Sequence, residues 1–449
     1  MAPLLTWFGD DFTGSAAVME VLAFAGLESV LFSDIPSPAL LERFKGAQAI
    51  GIASTARTHG PGWMQDNLPA PFEFLTSLGA PLLHYKVCST FDSAPHSGNI
   101  GTAIEIGLKV TGAQAAPMIT AAPQMRRYQA FGHLFAGTFD GVFRLDRHPV
   151  MARHPVTPMD EADLLRHLAR QTALPSALID LEALWADPAE TLETALQAGA
   201  RILSIDTMEQ ASETAAGRLL WENRDRLGLA VGSQGVEYAL VRHWRDIGMI
   251  PPALPPQGAG KVAQIAAVSG SVSPITAEQI AWSAANGFGV IRFDAAHVIA
   301  QPAALEETIA QSITAALKVA ETGASPLICS ASGPDDPQVA AVRAALSGSS
   351  YSPEGANEMI GQALGRVLDG ILRQTQIRRA VISGGDTSGH GMRALGLEAM
   401  QALAPTVPGA SLCKAYGDTP HDGLEIALKG GQMGSADFFG WIREGGGAR

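Results

Sequence analysis

A complete strand–helix–strand unit is predicted by residues 4–32, LLTWFGDDFTGSAAVMEVLAFAGLESVLF. Leu4–Phe8 is an apolar run of strand length, and Gly9–Gly14 has the composition of a turn. Ser15–Ala25 carries apolar residues at i, i+4 and i+7, the spacing of one helix face. Ser29–Phe32 is a second short apolar run. A buried strand that leads through a glycine turn into a helix is typical of parallel α/β sheets.

The same alternation of short apolar strands and helices continues along the chain, with helices predicted at Glu161–Arg170 and Gln234–Trp244. The further predicted strands are Ala47–Ala53, Pro81–Lys86, Ser176–Asp180, Arg201–Asp206, Leu229–Gly232, Val262–Val268, Val290–Asp294, Pro326–Ser330 and Arg379–Ser383. The series is interrupted by Met249–Gly260, MIPPALPPQGAG, which can continue neither a helix nor a central strand.

This organisation predicts an α/β protein of two domains, each a mainly parallel sheet flanked by helices. The predicted boundaries are residues 1–248 for the first domain, 249–260 for a proline-rich linker and 261–449 for the second domain. The active site is expected in the cleft between the domains, where ligands of such proteins usually bind.

Composition and charge exclude several classes of protein. Hydrophobic residues make up 47% of the 449 residues and charged residues 17%, which excludes a disordered chain. The net charge of −13 argues against a nucleic-acid or anionic-membrane partner. Three widely spaced cysteines, Cys88, Cys329 and Cys413, exclude a disulfide scaffold. No apolar run approaches the roughly 18 residues of a membrane helix, so a soluble, cytoplasmic protein is expected.

Two adjacent carboxylates, Asp10 and Asp11, follow the first predicted strand in the motif GDDFTG. Ligands of open parallel sheets bind beyond the carboxyl ends of the strands. One carboxylate there could act as general base on a substrate hydroxyl, and either could help to hold a metal ion. The alternative is a strand-to-helix turn in which Asp and Thr cap the helix. Two successive acids exceed what one cap requires, which favours a catalytic role.

Cationic and hydroxyl side chains follow other strands of the first domain. Lys86 precedes Ser89 and Thr90, and Ser97–Gly101 then leads into a helix. A lysine, hydroxyl groups and glycines ahead of a helix N-terminus are typical of an anion site. Arg57, also after a strand, could bind a carboxylate through two N–H groups. An ordinary surface cation is the alternative for both basic residues.

Three turns rich in glycine and hydroxyl residues occupy the second domain. They are Ser269–Pro274 (SGSVSP), Ser383–Gly389 (SGGDTSG) and Leu428–Gly434 (LKGGQMG). Glycines let a backbone approach a phosphate closely, and the neighbouring hydroxyl and N–H groups can donate to its oxygens. Asp386 could bind magnesium. Ser383–Gly389 contains neither the Walker GK[ST] ending nor GxGxxG. The alternative is a helix-capping turn for Ser269–Pro274 and a simple turn before the last helix for Leu428–Gly434.

The eleven histidines have no spacing typical of a metal site. His148 and His154 lie in the proline-rich segment RHPVMARHP rather than on one face of a helix. A loop that contacts the substrate is the favoured interpretation of this segment.

Five motifs in this order resemble those of the four-carbon acid sugar kinases, and the resemblance spans nearly the whole chain. Gly9–Ser15 resembles the family's ADDLTGA-like opening, Arg57 its arginine after the third strand, Gly270–Pro274 its GSxSP motif, Ser383–Thr387 its SGGET motif with Asp386 in place of Glu, and Leu428–Gly434 its LKSGNFG-like motif.

The resemblance implies an N-terminal sugar-acid-binding domain and a C-terminal nucleotide-binding domain. It implies an enzyme that uses ATP and Mg²⁺ to phosphorylate a terminal hydroxyl of a small acid sugar. On the matching positions, the catalytic residues would be Asp10 and Asp11, the substrate-binding residues Arg57, Lys86, Ser89 and Thr90, and the ATP-binding residues Ser271, Gly384, Gly385, Asp386, Thr387 and Gly431.

One segment departs from the family pattern KxDSTLRGN. Cys88 stands where the family has Asp, and Ser97 stands where it has Arg, after extra residues. The segment resembles a divergent branch with a changed substrate pocket. A tetronate, a 3-oxo-tetronate or a branched acid such as 3-oxo-isoapionate would fit this resemblance.

Two functions of other kinds stay open at this point. An NAD-dependent dehydrogenase of a small hydroxy acid would use a similar sheet, but GxGxxG and the ribose-binding acid are missing. A non-catalytic, two-lobed sugar-acid-binding protein would not need paired acids and three glycine-rich turns. A homodimer also stays open for this acidic, alanine-rich chain.

Overall fold

The computed structural model describes residues 2–138, 140–253 and 255–449, without the side chain of Asp386. The chain divides into two compact units, Met1–Leu254 and Pro255–Arg449, called unit 1 and unit 2 below. This division falls inside the proline-rich segment, while the predicted boundaries at 248 and 261 stay predictions. Among the described residues, no helix is both long enough and apolar enough to cross a membrane.

Among the described residues, unit 1 contains the first eleven strands and ten α-helices. The strands are β1 (Leu5–Gly9), β2 (Ser29–Phe32), β3 (Ala49–Ala53), β4 (Leu83–Lys86), β5 (Ala116–Ile119), β6 (Arg127–Ala130), β7 (His133–Thr138), β8 (Gly141–Arg144), β9 (Ser176–Ile179), β10 (Ile202–Ile205) and β11 (Leu229–Gly232). The helices are α1 (Phe12–Phe24), α2 (Pro38–Glu42), α3 (Pro61–Asn67), α4 (Pro69–Ser77), α5 (Ile100–Thr111), α6 (Leu164–Leu168), α7 (Leu181–Trp185), α8 (Pro188–Gln197), α9 (Gln210–Glu222) and α10 (Gly235–Asp246).

The main sheet of unit 1 has the strand order β2-β3-β1-β4-β11-β5-β10-β9, and all of its neighbouring strands are parallel. Strands β6, β7 and β8 form a separate antiparallel sheet. Strand β1 therefore lies inside the main sheet, and its five residues are all buried. The carboxyl ends of β1, β3 and β4 meet at one edge, where Gly9 pairs with Ala53 and Lys86.

Unit 2 contains seven strands and seven helices among the described residues. The strands are β12 (Ala266–Ser269), β13 (Phe288–Arg292), β14 (Ser325–Cys329), β15 (Arg379–Ser383), β16 (Ala399–Ala404), β17 (Leu412–Tyr416) and β18 (Glu425–Lys429). The helices are α11 (Pro274–Ala285), α12 (Ala295–Ala300), α13 (Leu305–Glu321), α14 (Pro337–Ser347), α15 (Pro353–Gln374), α16 (Gly385–Ala394) and α17 (Phe438–Glu444).

The sheet of unit 2 has the order β13-β14-β12-β15-β18-β17-β16. Strands β12, β13, β14, β15 and β18 are parallel, whereas β17 is antiparallel to both β18 and β16. The predicted two-domain α/β architecture is confirmed at this level. The predicted position of the active site, in a cleft between the domains, stays a prediction.

Every predicted strand has a counterpart in the structure. Seven strands of the structure were not predicted: β5 to β8 and β16 to β18. Strands β6 to β8 are short and only partly buried, so they lack a continuous apolar run. The helix predicted at Glu161–Arg170 is limited to α6, because the Asp163 side chain accepts hydrogen bonds from Leu165 N and Arg166 N and caps a later start.

Close packing at the centre of the unit 1 sheet depends on a residue without a side chain. Trp7 on β1 is fully buried, and its ring lies over Gly51 of β3. A Cβ atom at Gly51 would lie 2.0 Å from the Trp7 ring, far inside van der Waals contact. The Trp7 indole N–H donates to Ser15 O at 3.3 Å, which ties the ring to α1.

We expect Gly51→Ala to lower the free energy of unfolding by about 1–3 kcal/mol, because the new methyl group overpacks the Trp7 ring. Urea denaturation, monitored through tryptophan fluorescence, would measure the change in the free energy of unfolding. Gly62→Ala is the control, since a Cβ there meets no atom within 4 Å. Equal stability of the two variants would show that the Trp7 contact is not a constraint.

Candidate functional site

The carboxyl edge of β1, β3 and β4 holds the predicted catalytic and substrate-binding residues of unit 1. We call Asp10, Asp11, Arg57, Lys86 and Cys88 the strand-edge cluster. Backbone hydrogen bonds fix three of its members: Asp10 N donates to Lys86 O at 3.0 Å, and Arg57 N donates to Asp10 O at 2.9 Å. The residues therefore lie together because the parallel strands end together.

The guanidinium of Arg57 binds both aspartates. Its Nη2 lies 2.6 Å from Asp10 Oδ1 and 2.7 Å from Asp11 Oδ1, and its Nε lies 3.2 Å from Asp10 Oδ2. Asp10 is 1% exposed, so its carboxylate is held on both oxygens away from solvent. The alternative of a free surface cation at Arg57 is wrong. The predicted role of Arg57 in binding a substrate carboxylate stays a prediction, although its described contacts are to the protein's own acids.

Asp11 has two kinds of contact that leave one carboxylate oxygen open. Its Oδ1 accepts from Gly14 N at 2.9 Å and so caps α1, as the capping alternative predicted. The same oxygen binds Arg57. No described residue donates a hydrogen bond to Asp11 Oδ2, and the side chain is 27% exposed. Asp11 is thus the aspartate of the pair with an accessible acceptor.

Lys86 places a buried ammonium group beside the two acids. It is 2% exposed, and its Nζ donates to Val87 O at 2.5 Å. A Cβ at Gly14 would lie 2.9 Å from Lys86 Nζ and 2.3 Å from Asp11 Oδ1, so a larger residue there would displace both side-chain ends. Within the described part of the chain, no carboxylate lies within 4.0 Å of Lys86 Nζ. Two of its N–H bonds consequently remain for a ligand.

Burial and charge act against each other on the titratable groups of the cluster. Burial raises the pKa of Asp10, against the opposing charge of Arg57. Burial disfavours the charged guanidinium, but Asp10 and Asp11 hold the pKa of Arg57 well above its ordinary value. Burial, and then the Asp92 carboxylate, raise the pKa of the Cys88 thiol, against Arg57 and Lys86. Cys88 is therefore a neutral thiol at pH 7.

The hydroxyl groups after Cys88 have unequal surroundings. Thr90 is buried, and its Oγ1 lies 3.0 Å from Cys88 Sγ and 3.4 Å from Asp92 Oδ1. Ser89 is half-buried, and no described residue forms a hydrogen bond with its hydroxyl. The hydroxyl of Ser89 is therefore the one with free bonding capacity, while that of Thr90 orients the Cys88 segment.

The anion site predicted at the start of α5 is already filled by protein atoms. Thr102 N donates to Asn99 Oδ1 at 2.7 Å, and Ile100 N and Gly101 N lie 2.7 and 3.4 Å from Gln171 Oε1. These N–H groups are not free, so this part of the anion-site prediction is wrong. The Gln171 side chain also donates to Ser93 Oγ at 2.9 Å, which ties the segment before α5 to the residues that follow α6.

Arg127 is a residue near the cluster that sequence analysis missed. Its charge interacts with Cys88, and its Nη1 donates to the carbonyls of Met125 and Gly137 at 3.0 and 3.2 Å. Its buried Nε has no hydrogen-bond partner among the described residues. Arg127 begins β6 of the separate antiparallel sheet, and because β5 and β6 were not predicted, no signal placed it near the strand-edge cluster.

His148 lies close enough to Arg127 to be affected by its charge. Burial, and then Arg127, lower the pKa of His148, so its imidazole is neutral at pH 7. Its Nδ1 accepts hydrogen bonds from Val150 N and Met151 N at 3.2 and 3.1 Å.

The described residues contain no group of three or more His, Cys, Asp or Glu side chains that could hold a metal ion.

In unit 2, the three glycine-rich turns meet beyond the ends of β12, β15 and β18. Gly270 N donates to Ser383 O at 2.9 Å, and Gly384 N donates to Lys429 O at 2.8 Å. A Cβ at Gly270 would lie 2.2 Å from Thr387 Oγ1, and one at Gly431 would lie 2.6 Å from Ser271 Oγ. The absence of a side chain at Gly270 and Gly431 therefore allows the turns to lie in contact with each other.

Hydroxyl groups connect the first and third turns. The Ser273 hydroxyl caps α11 by accepting from Thr276 N at 3.1 Å and donates to Gly431 O. The Thr276 Oγ1 lies 2.9 Å from Ser271 Oγ and 3.1 Å from Gly431 O. The amide of Gln279 donates to Met433 O and Ser435 O at 2.9 and 3.0 Å. Helix α11 thus holds the third turn in place.

A cavity of about 420 Å³ opens at the meeting point of the turns. Its polar end is formed by five of the six predicted ATP-binding residues, Ser271, Gly384, Gly385, Thr387 and Gly431. Its other end is lined by Val339, Val342, Leu346 and Ile360. The side chain of the sixth residue, Asp386, lies outside the described part of the structure. A polar cradle joined to an apolar slot has the chemistry to hold phosphates at one end and a flat base at the other.

Comparisons with known proteins agree with this division. Residues 5–240 match the family described as "Sugar-binding N-terminal domain". Residues 266–439 match the family described as "Nucleotide-binding C-terminal domain". The two matches correspond to unit 1 with the strand-edge cluster and to unit 2 with the cavity.

The chain is similar over its full length to curated acid sugar kinases. It is 45% identical to the 3-oxo-isoapionate kinase of Paraburkholderia graminis, over 98% of this chain and 94% of that protein. It is 30% identical to the 3-oxo-tetronate kinases of Cupriavidus necator and Pseudomonas fluorescens, over 97% of this chain and 96% of each protein.

Two solved structures share the fold. A Salmonella typhimurium LT2 protein superposes with a TM-score of 0.76 at 23% identity, covering 98% of both chains. A Haemophilus influenzae protein superposes with a TM-score of 0.75 at 21% identity, covering 98% of this chain and 99% of the other. At these identities the likeness concerns the fold alone.

We expect Arg57→Met to lower the free energy of unfolding by about 3 kcal/mol or more, because two adjacent carboxylates, one fully buried, lose their counter-charge. Chemical denaturation would measure the loss. Arg170→Met is the control: Arg170 pairs with Asp160 at 2.6 Å in solvent, and we expect its loss to cost less than about 1 kcal/mol. Similar stabilities of the two variants would contradict a structural role for Arg57.

Proposed function

This chain belongs to the four-carbon acid sugar kinase family, and on that premise we propose that it transfers the γ-phosphoryl group of ATP to a terminal hydroxyl of 3-oxo-isoapionate. The observation that carries the choice of substrate is the 45% identity, over nearly the full length of both chains, to a 3-oxo-isoapionate kinase. 3-Oxo-tetronate is the second candidate, supported by relatives of 30% identity.

Membership of a kinase family decides between the functions that composition and motifs left open. The chain is a phosphotransferase with an alcohol group as acceptor. The alternatives of a dehydrogenase and of a non-catalytic binding protein are therefore rejected. The domain that matches the nucleotide-binding family supplies the place for ATP. A cytoplasmic location and a homodimer stay predictions.

The contacts of unit 1 favour Lys86 over Arg57 as the direct partner of the substrate carboxylate. Arg57 already binds three carboxylate oxygens through Nε and Nη2, whereas the buried Lys86 contacts no described carboxylate and its Nζ donates to one carbonyl oxygen, that of Val87. Ser89 offers an unengaged hydroxyl for a substrate oxygen. The neutral Cys88 thiol carries no negative charge, whereas an aspartate at this position would carry one. A pocket with one negative charge fewer among Arg57, Lys86 and Arg127 suits an anionic substrate.

Asp11 is our candidate for the group that orients and accepts the proton of the attacking hydroxyl. Its Oδ2 is open, while both oxygens of Asp10 are held by Arg57. In the reaction, the substrate oxygen forms a bond to the γ-phosphorus as the bond to the bridging oxygen of ADP breaks. The hydroxyl proton passes to Asp11. Asp10 then serves to hold Arg57, which in turn fixes Asp11.

The glycine-rich turns of unit 2 are our candidates for the phosphate-binding groups. Ser271 and Thr387 supply hydroxyl donors, and Gly384, Gly385 and Gly431 let the backbone approach the phosphate oxygens. The apolar end of the cavity has the size and lining for the adenine ring.

Mg²⁺ is the metal ion that the family resemblance implies. Mg²⁺ keeps several waters and binds through substrate phosphates with one or two carboxylates, so a protein cage of three acids is not required. Asp386 is the position we assign to contact the ion. When bound, Mg²⁺ neutralises charge on the phosphates during transfer.

A panel assay tests the substrate assignment. We expect ADP release with Mg-ATP to show the highest kcat/KM on 3-oxo-isoapionate, compared with D- and L-threonate, D- and L-erythronate and their 3-oxo forms. Cys88→Asp should lower the preference for 3-oxo-isoapionate over 3-oxo-tetronate by about tenfold, because it restores a carboxylate to the pocket. Cys88→Ser, which adds no charge, is the control and should retain the preference. A preference for an unbranched acid would overturn the substrate assignment.

Asp11→Asn tests the proposed base. We expect kcat to fall by about 10²- to 10⁴-fold, because the amide cannot accept the hydroxyl proton, while ADP affinity measured by calorimetry stays unchanged. Asp34→Asn is the control, since Asp34 is an exposed acid beyond the end of β2. Normal turnover of Asp11→Asn would rule out this role.

A further inference from the structure

A second buried lysine, Lys429, lies at the last position of β18 in unit 2. Its side chain is 1% exposed, and its Nζ donates to Gly430 O at 3.0 Å and lies 3.4 Å from Thr276 Oγ1. Among the described side chains, no carboxylate lies within 4.0 Å of this ammonium. The two contacts are to neutral oxygens, so the charge of Lys429 has no described counter-charge.

The neighbouring strands place unused hydroxyl groups beside Lys429. Ser383 pairs with Lys429 across β15 and β18, and Ser269 pairs with Ser383 across β12 and β15. Residues at one register of a parallel sheet project to the same face. Both serine Oγ atoms are buried without a described hydrogen-bond partner. This polar row lies directly beneath the turns that form the polar end of the cavity.

Short contacts connect Lys429 to the cavity wall. Thr276, which Lys429 approaches, lies 2.9 Å from Ser271 Oγ and 3.1 Å from Gly431 O, and both of these residues line the cavity. The ammonium is thus one hydroxyl group behind the cavity surface. A buried cation without a counter-ion is costly, and that cost is recovered when an anion binds next to it.

We propose that Lys429 is the positioning cation for the nucleotide phosphates: it neutralises their charge from behind the third glycine-rich turn and fixes that turn through Gly430 O and Thr276. The inference rests on the proposed binding of ATP in unit 2. The turns contain no Walker lysine. Without Lys429, no residue has been assigned to neutralise the phosphate charge.

Among the described residues, the cation that lines the cavity is Arg343, and it lies among the apolar residues rather than at the glycine-rich turns. Arg343 lies on α14 and is exposed, near Val339, Val342 and Leu346. These residues form the apolar end, whereas the glycine-rich turns form the polar end. Arg343 is therefore close to the expected position of the base rather than to that of the phosphates.

Burial lowers the pKa of Lys429 to about 8. The described charged side chains on the elements around it pair elsewhere: Glu425 binds Arg379 at the opposite ends of β18 and β15, and Arg393 Nη2 of α16 lies 3.0 Å from His390 Nδ1. Glu278 of α11 is exposed.

Because an anion favours the ammonium form, the pKa of Lys429 must rise when phosphates bind. Nucleotide binding is then strongest below pH 8, takes up a proton near and above pH 8, and weakens as the pH rises further.

The experiment is calorimetric titration of the full chain with ADP and Mg²⁺ at pH 7, 8 and 9, in buffers of different ionisation enthalpy. For the wild type we expect proton uptake at pH 8 and 9, and an affinity that falls by up to about tenfold per pH unit above pH 8. For Lys429→Met we expect an affinity about 10- to 100-fold lower at pH 7 and no proton uptake. Lys429→Arg should restore affinity and remove its decline at high pH, because arginine stays charged.

Lys414→Met is the matched control, since Lys414 is an exposed lysine on the neighbouring strand β17; its ADP affinity and proton uptake should equal those of the wild type. If Lys429→Met does not fold, the wild-type titration decides alone, and absence of proton uptake at pH 8 and 9 overturns the proposal. Wild-type affinity of a folded Lys429→Met also overturns it. Absence of ADP binding to the wild type at every pH would instead overturn the proposed function.

Discussion

The guanidinium of Arg57 bound to two adjacent carboxylates is the constraint on which the site in unit 1 depends. Asp10 is buried at the end of a central strand, a position that an acid occupies only with a partner. Arg57 satisfies both oxygens of Asp10 and one oxygen of Asp11. The same contacts leave the second oxygen of Asp11 open. The ion pair therefore separates two neighbouring acids of identical chemistry into a structural one and an accessible one.

The two units handle buried cations in different ways. In unit 1, Nε and Nη2 of Arg57 bind acids, and Lys86 beside it is buried with a single described hydrogen bond, to Val87 O. In unit 2, the described contacts of Lys429 are to neutral oxygens. A lysine ammonium desolvated without a counter-ion is the group whose charge responds most to an arriving anion. In both units, a buried lysine at the end of a parallel strand contacts only neutral oxygens among the described residues.

Sequence reasoning located much of this site because parallel strands bring their carboxyl ends to one edge. The motif around Asp10, Arg57 and the three glycine-rich turns could each be placed after an apolar run, and the structure brings them together within their units. What could not be predicted was which groups satisfy one another. Nothing in the sequence indicated that Arg57 binds Asp10, or that Gln171 fills the start of α5. Arg127 was missed because the short, half-buried strands around it carry no clear apolar pattern.

The contact between Gln171 and the N-terminus of α5 has a consequence for the divergence of substrate preference. The segment from Cys88 to Asn99, where the chain departs from its family, is held by a side chain that lies more than seventy positions later. The two stretches must change together if the loop is to keep its shape. Exchanging only residues 88–99 between relatives would transfer that segment without the Gln171 side chain that holds it, so an exchange of substrate preference between these enzymes calls for a graft that extends from β4 through Gln171.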